Sequence, residues 1–243
     1  MTYGLISDIH ANLEALQTAL KELEEAEGFI CLGDIVGYGP NPNECVDIVR
    51  SLPNLVCLVG NHDLAAVGKY DADWFNLYAR QAIEWTARQL SPENITFLRS
   101  LEPIAQHPPF TLAHGALPDP MEYVFSPIEA RMTFAHITTP ACLIGHSHIA
   151  EYYRQREGVQ MVDRFSLFSG GEVRLNEGFR HLINIGSVGQ PRDGNPQASY
   201  GVWEEKSNTV SIFRVRYDIA KTQRKMREAR LPEYLARRLA HGR

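Results

Sequence analysis

Five short polar blocks hold nearly all the residues of this chain that could do chemistry. They are Ser7-Asp8-Ile9-His10, Gly33-Asp34-Ile35-Val36, Gly60-Asn61-His62-Asp63, Ala113-His114-Gly115 and Gly145-His146-Ser147-His148. Five of the nine histidines fall in them, a concentration that scattered core or surface histidines would not produce. Asp8 and His10 are two apart, as are His146 and His148. At a strand end, residues i and i+2 point the same way, so each pair can reach one ion. The donors on offer are carboxylates, an amide oxygen and imidazoles. Such mixed ligation suits Mn, Fe, Co, Ni or Zn better than Ca or Mg, and it lacks the thiolates of a structural zinc site.

Every block follows an apolar run, and those runs must place it. Residues 3–7, 29–32 and 55–59 read as strands. Leu13, Leu16, Leu20 and Leu23 recur at helical spacing behind Asn12, a candidate N-cap, and residues 43–51 read as a second helix. This strand–helix rhythm predicts a parallel sheet with crossover helices, and its continuous apolar runs predict strands covered on both faces. In such a sheet the carboxyl ends of the strands form the ligand-binding edge, so the blocks would converge there. Further along, a helical stretch is expected over 74–101 and a helix over 127–135, with strands at 110–113 and 141–144. After His148 the pattern becomes antiparallel, with strands at 151–156, 160–168, 172–175, 182–185, 200–203 and 210–215. Ser169-Gly170-Gly171 reads as a hairpin turn. A helical tail spans 219–240, interrupted at Pro232. No repeat or linker divides the chain, so one domain over 1–243 is expected, with the tail at about 218–241.

The chain has 243 residues and a net charge of −5. That balance argues against broad nucleic-acid binding, which needs a basic face, and leaves room for a local anion site. No apolar stretch is long enough to span a bilayer. No basic segment precedes the first strand, so a cytoplasmic location is expected. The four cysteines form no CxxC, and Cys31, Cys57 and Cys142 sit in apolar runs, as buried thiols would. Asn94-Ile95-Thr96 matches a glycosylation sequon that would be silent there.

Taken together, the blocks resemble the calcineurin-like metallophosphoesterase superfamily, whose pattern is D-x-H, G-D, G-N-H-[DE], [AG]-H and G-H-x-H. All five are present in order. The run from Asn184 to Gly194 and the Gly37-Tyr38-Gly39-Pro40-Asn41-Pro42 segment are similar to small bacterial and archaeal phosphodiesterase-like members. The resemblance implies a four-layer α/β/β/α sandwich. It implies two divalent metal ions, with Mn favoured: Asp8, His10 and His148 on the first, Asn61, His114 and His146 on the second, and Asp34 bridging. His62 would lie beside them as a catalytic group, with Asp63 orienting it or a ligand. Asp8 and Asp34 offset only part of the charge of two such ions, so the centre would attract phosphate and stabilise its oxygens in the transition state. Water on the metals would lose a proton near neutral pH, and the hydroxide would attack phosphorus in line.

The chain departs from the phosphoprotein phosphatases of this superfamily, which carry G-D-x-x-D-R-G. Here Gly37 and Tyr38 occupy the Asp and Arg positions, so a bidentate arginine clamp is missing. Ala11 stands where relatives often have Gly, a change that a negative φ would tolerate. Arg192 is a candidate replacement for the phosphate contact, against a surface arginine paired with Asp193. Asn12 either turns its amide to substrate or only caps a helix. Trp74, Phe75 and Tyr78 are expected in the core. Tyr123 and Phe125 could stack on a nucleobase or anchor their own loop. Leu231, Leu235 and Leu239 would pack the tail onto the domain, or form a dimer face of a homo-oligomer. The expected substrate is a small phosphate ester, a phosphodiester or nucleotide rather than a phosphoprotein. A dinucleoside-polyphosphate pyrophosphohydrolase and a non-catalytic scaffold are the alternatives.

Overall fold

Side-chain alternation in the first strands already reveals the layering of this computed structural model, which describes residues 1–243. In β1 (Thr2–Ile6), Tyr3 and Leu5 face one apolar cluster and Ile6 another. In β2 (Gly28–Cys31), Ile30 joins the first cluster, while Phe29 and Cys31 join the second. Both faces are therefore buried, which is why these strands read as unbroken apolar runs. Between them lies α1 (Leu13–Glu22), begun by Asn12, whose Oδ1 accepts from the Ala15 N–H at 3.2 Å. Next come α2 (Pro42–Arg50), β3 (Leu55–Cys57) and the short α3 (Asn61–Ala66).

The helical stretch expected over 74–101 is divided. A 3₁₀ turn covers Ala72–Trp74, then α4 spans Leu77–Gln89 and α5 Pro92–Ser100. Pro92 cannot continue a helix, and Ser91 caps the new one by accepting from the Asn94 N–H at 3.2 Å. β4 (Ile104–His107), which the sequence reading missed, pairs antiparallel with β5 (Phe110–Ala113). It is an edge strand without a fully buried residue, so it carries no strong apolar signal. Beyond them follow α6 (Pro127–Phe134), β6 (Ala141–Ile144), β7 (Ala150–Arg156), β8 (Val162–Ser166), β9 (Gly171–Arg174), β10 (Phe179–Ile185), β11 (Ala198–Glu204) and β12 (Thr209–Val215). α7 (Ile219–Glu228) and α8 (Glu233–Leu239) end the chain, divided at Arg230 to Pro232.

Two six-stranded sheets result, in the orders β3-β2-β1-β11-β12-β9 and β4-β5-β6-β10-β7-β8. The hairpin expected at Ser169–Gly171 does not exist. β8 pairs with β7 in one sheet and β9 with β12 in the other, so the glycines carry the chain between sheets. Local turn chemistry could not distinguish this from a hairpin, because the partners lie far away in sequence. Leu5, Ile30, Phe110, Leu143 and Ile183 fill the space between the sheets. Leu16, Val46 and Leu98 close one outer face, and Phe134 with Cys142 and Leu182 the other. The architecture is thus a four-layer α/β/β/α sandwich. All four cysteines are free, three of them buried, and no helix is long and apolar enough to cross a membrane.

The tail leucines Leu231, Leu235 and Leu239 are buried with Tyr38, Ala79 and Ala82. α7 is tied to α1 through Lys225 Nζ on Glu14 at 2.6 Å and through Thr222 Oγ1, which donates to Asn12 Oδ1 at 3.0 Å. Of the aromatics expected in the core, Trp74 is 80% exposed and Tyr78 42% exposed. The buried face of α4 is formed by Ala79, Ala82, Ile83 and Thr86, and Tyr78 lies off it, while Trp74 belongs to a 3₁₀ turn with no buried residue.

Candidate metal centre

Each polar block sits where a parallel strand ends: after β1, β2, β3, β5 and β6. The chain turns there with an unusual backbone. Asp8, His10, Ala11, Asp34, His146 and His148 all have φ between 49° and 65°. For residues with a Cβ this left-handed region is unfavourable by about 1 kcal/mol or more each, and it persists only where surroundings impose it. Ala11, at φ 53°, thus occupies the conformation that glycine favours, contrary to the negative φ that would have made the change harmless. Hydrogen bonds between loops impose the geometry. The N–H groups of Asp8 and His10 each donate to the loop after β2, at Gly33 and Asp34, both at 3.0 Å. The Gly145 N–H donates to the His114 carbonyl at 2.9 Å. Gly145 itself must lack a side chain, since a Cβ would lie 2.4 Å from Asp8 Oδ2.

The side chains then converge in two groups. Asp8, His10, Asp34 and His148 place ligand atoms within 4.8 Å of one another, and so do Asp34, His114 and His146. Asp34 is common to both. Its Oδ1 accepts from the His62 N–H at 2.9 Å, whereas its Oδ2 has no hydrogen-bond partner and lies 3.6 Å from His10 Nε2 and 3.5 Å from His114 Nε2.

Backbone carbonyls set the tautomers. Nδ1 donates to the Val36 carbonyl from His10 at 3.1 Å, to Leu32 from His114 at 2.7 Å and to Gln190 from His148 at 2.6 Å. Nε2 of each ring is then the bare nitrogen and turns inward. His146 is reversed: Nε2 donates to the Met121 carbonyl at 3.0 Å, leaving Nδ1 free. Orientation of a ligand imidazole through its second nitrogen is the usual arrangement at metal sites. His10 Nε2 and His148 Nε2 approach to 3.0 Å. With both protons committed to carbonyls, that contact sets two lone pairs against each other, which a shared cation relieves. Buried Asn61 Oδ1, Asp34 Oδ2 and His114 Nε2 likewise lack partners, a costly state for polar atoms unless an ion takes them.

Electrostatics agree. Burial pulls His10, His146 and His148 well below the usual imidazole range, keeping their lone pairs available. Burial raises Asp8. His114 differs: burial opposes its protonation, but the Asp34 carboxylate, then Asp8, outweighs it and raises the ring to about 9, so that without an ion Nε2 holds a proton that a bound cation would displace. The residues present fit divalent cations in donor type, tautomer and unmet coordination capacity.

His62 Nδ1 is buried without a partner, and burial lowers the ring to about 4. The ring packs against Tyr38, His10 and Phe75 with centroids 4.4–4.8 Å apart. Asp63 does not touch that imidazole. Its carboxylate accepts from the Val36 N–H at 2.9 Å and the Gly60 N–H at 3.1 Å, capping α3 and pinning the loop that carries Asp34. Asn12 is likewise committed to structure, since its amide donates to the Gly189 carbonyl at 2.8 Å. Arg192 is not paired with Asp193, which binds Arg214 instead. Its guanidinium lies over the Tyr38 ring and donates to the Tyr38 hydroxyl at 3.2 Å. Tyr123 stacks on His146 at 3.9 Å and on Phe125 at 4.9 Å, so these aromatics brace their own loop and a histidine.

A cavity of about 720 Å³ opens beside the cluster, lined by Asn61, His62, His146 and Arg192 on one side and by Trp74 and Tyr234 on another. Sequence reading missed Tyr38, Tyr234 and Arg238 as site residues. Tyr38 sits in a quoted motif segment and could have been suspected, but nothing local marks the other two.

Residues 1–208 match the model of the calcineurin-like phosphoesterase superfamily domain. A protein of Methanocaldococcus jannaschii described as uncharacterised is 41% identical over 99% of this chain and 98% of its own length. A metallophosphoesterase from Sphaerobacter thermophilus superposes with a TM-score of 0.90 at 42% identity, covering 100% of this chain and 99% of that one. A hypothetical protein from Pyrococcus horikoshii shares the fold, with a TM-score of 0.80 at 17% identity over 100% and 98% of the two chains. Matched by the family model over most of its length, and by relatives at this identity from end to end, the chain belongs to the calcineurin-like phosphoesterase superfamily.

Proposed function

We propose that the protein is a dinuclear metal-dependent hydrolase of small phosphate esters, acting on a phosphodiester or nucleotide. The observation that carries this reading is Asp34 Oδ2, a buried oxygen without a partner between two groups of imidazoles whose bare nitrogens face it. Asp8, His10, His148 and Asp34 would hold one ion. Asn61, His114, His146 and Asp34 would hold the other. When bound, such ions supply Lewis acidity toward phosphoryl oxygens and make water acidic enough to be a nucleophile near neutral pH.

The chain's own groups supply the rest. His62, next to the shared carboxylate and lining the cavity, steadies phosphoryl oxygens through its ring N–H, or protonates the leaving alkoxide once the negative charge of a bound phosphate has raised it from about 4. Arg192 contributes a fixed positive charge toward the same cavity. Its guanidinium is held at the cavity by the hydroxyl of Tyr38, the residue that stands in the motif where phosphoprotein phosphatases carry arginine. Asp63 acts indirectly, by holding the Asp34 loop.

Metal analysis of purified protein tests the first half of this reading, with about two equivalents per chain expected. A panel with Mn²⁺ tests the second, comparing a phosphomonoester, a phosphodiester, a cyclic nucleotide and a dinucleoside polyphosphate. Turnover of the diester or nucleotide is expected. No hydrolysis of any of them, across several metals, would establish a binding scaffold instead.

A further inference from the structure

The cavity beside the Asp/His cluster has a second wall that the family resemblance does not account for. α8 lies beyond residue 208, where the family model ends, yet it contributes Tyr234 and Arg238 to that wall. Trp74 joins them from the 3₁₀ turn and Tyr78 from the first turn of α4. Three large aromatic side chains therefore face solvent at one place: Trp74, Tyr234 and Tyr78 are 80%, 53% and 42% exposed. Exposed aromatic surface gathered around one cavity in this way marks a binding site. Tyr78 and Tyr234 stack at 4.9 Å, which presents a stiff flat surface rather than two mobile rings.

No side-chain carboxylate offsets the charge on this wall. Neighbouring Arg227 and Arg237 both pair with Glu233, whereas the Arg238 guanidinium lies over the Tyr234 ring, pairs with no Asp or Glu, and donates from Nε to the Arg243 backbone oxygen. Burial, and then the charge of Arg192, pulls Arg238 below the usual arginine range. Two arginines thus face one cavity whose lining carboxylate, Glu122, pairs with neither, an arrangement that an anion relieves. Asn76 and Glu122 also line the cavity and offer donors and acceptors to the edge of a planar ring. A volume of about 720 Å³ accommodates a nucleoside with its phosphate.

We propose that α8 is the specificity element of this enzyme and that it selects a nucleotide: Tyr234, with Trp74 and Tyr78, stacks on the base, while Arg238 and Arg192 hold negative charge on the phosphate side. The proposal rests on the phosphoesterase reading for the phosphate end of the site and names the group attached to it. It locates substrate choice in a helix outside the family's matched residues.

The test measures binding, so it does not depend on turnover. Metal-loaded full-length protein is titrated calorimetrically with the phosphonate analogue of AMP, in which a carbon–phosphorus bond replaces the ester. The same phosphonate on ribose without a base is the comparison. The base-bearing analogue is expected to bind about tenfold tighter or more, the scale of one base stacked on aromatic side chains. Tyr234→Leu and Trp74→Leu, made separately, should each cut that advantage at least threefold and leave the base-free analogue unchanged. Both side chains point to solvent, so neither variant removes core packing. Arg238→Met should weaken both analogues alike. Equal affinity of the two analogues for the unaltered protein, no binding of either, or variants that keep the full advantage of the base would overturn the proposal. Base-dependent binding without hydrolysis of any ester would instead overturn the phosphoesterase reading and leave this one standing.

Discussion

Asp34 is the side chain on which the two donor groups meet, and His62 is its neighbour through a backbone hydrogen bond rather than through its ring. The two should therefore fail differently. Asp34→Ala is expected to drop the metal content below one equivalent per chain, read by elemental analysis, because both donor groups lose a shared oxygen. His62→Ala should keep both metals and lower turnover by about 10²- to 10⁴-fold, the range for loss of a general acid. Metal lost together with activity in His62→Ala would make His62 a ligand. At this scale much was legible beforehand. The five polar blocks stood out by residue type and spacing, whereas the ligand set of Asp8, His10, Asp34, Asn61, His114, His146 and His148 was what the family resemblance implied. The direction of each imidazole was not legible, because it is decided by carbonyls of Val36, Leu32, Met121 and Gln190, remote in sequence from the rings they hold.

Among the elements, α3 shows how a six-residue helix serves the site. Its first turn carries Asn61 and His62, and Asp63 fastens that turn to the neighbouring loop through the Val36 N–H. Asp63→Ala leaves two buried N–H groups without an acceptor and should cost about 1–3 kcal/mol in urea unfolding, with a parallel fall in metal affinity. Asp63→Asn, which keeps one acceptor oxygen, should lose less. Unchanged stability with a large loss of turnover would assign Asp63 to the chemistry itself. The same scale explains where pattern reading stopped. Ser91-Pro92 divides α4 from α5 by local chemistry that was visible but not used, whereas Ser169–Gly171 looks like a hairpin and is a crossover because β9 finds β12.

On the scale of the whole molecule, five strand ends converge only because two sheets hold them, and the converged carboxylate oxygens and imidazole lone pairs repel one another without a cation. Stripping metals with a chelator should lower the melting temperature by about 5–10 °C in a chain of 243 residues, reversed by adding Mn²⁺. An acid-side loss of stability has a separate source. His181 is 1% exposed, neither ring nitrogen has a partner, and burial, with Arg154 nearby, lowers it to about 4. Since the unfolded imidazole takes its proton more readily, near pH 6.5, stability is full above that pH and declines as pH falls from 6.5 toward 4. Guanidine unfolding at pH 7 and pH 5 should show His181→Gln losing less between the two than the unaltered protein. What the amino-acid order determined alone was local: which residues carry atoms able to donate to a metal, the strand-end position of each block, and the parallel first half, all set by side-chain type and short periodicity. Assigning each strand to a sheet, fixing the tautomers, and bringing Trp74, Tyr234 and Arg238 to one cavity with His62 required the folded chain. Those outcomes depend on contacts between residues from about 25 to more than a hundred positions apart, which no local pattern encodes.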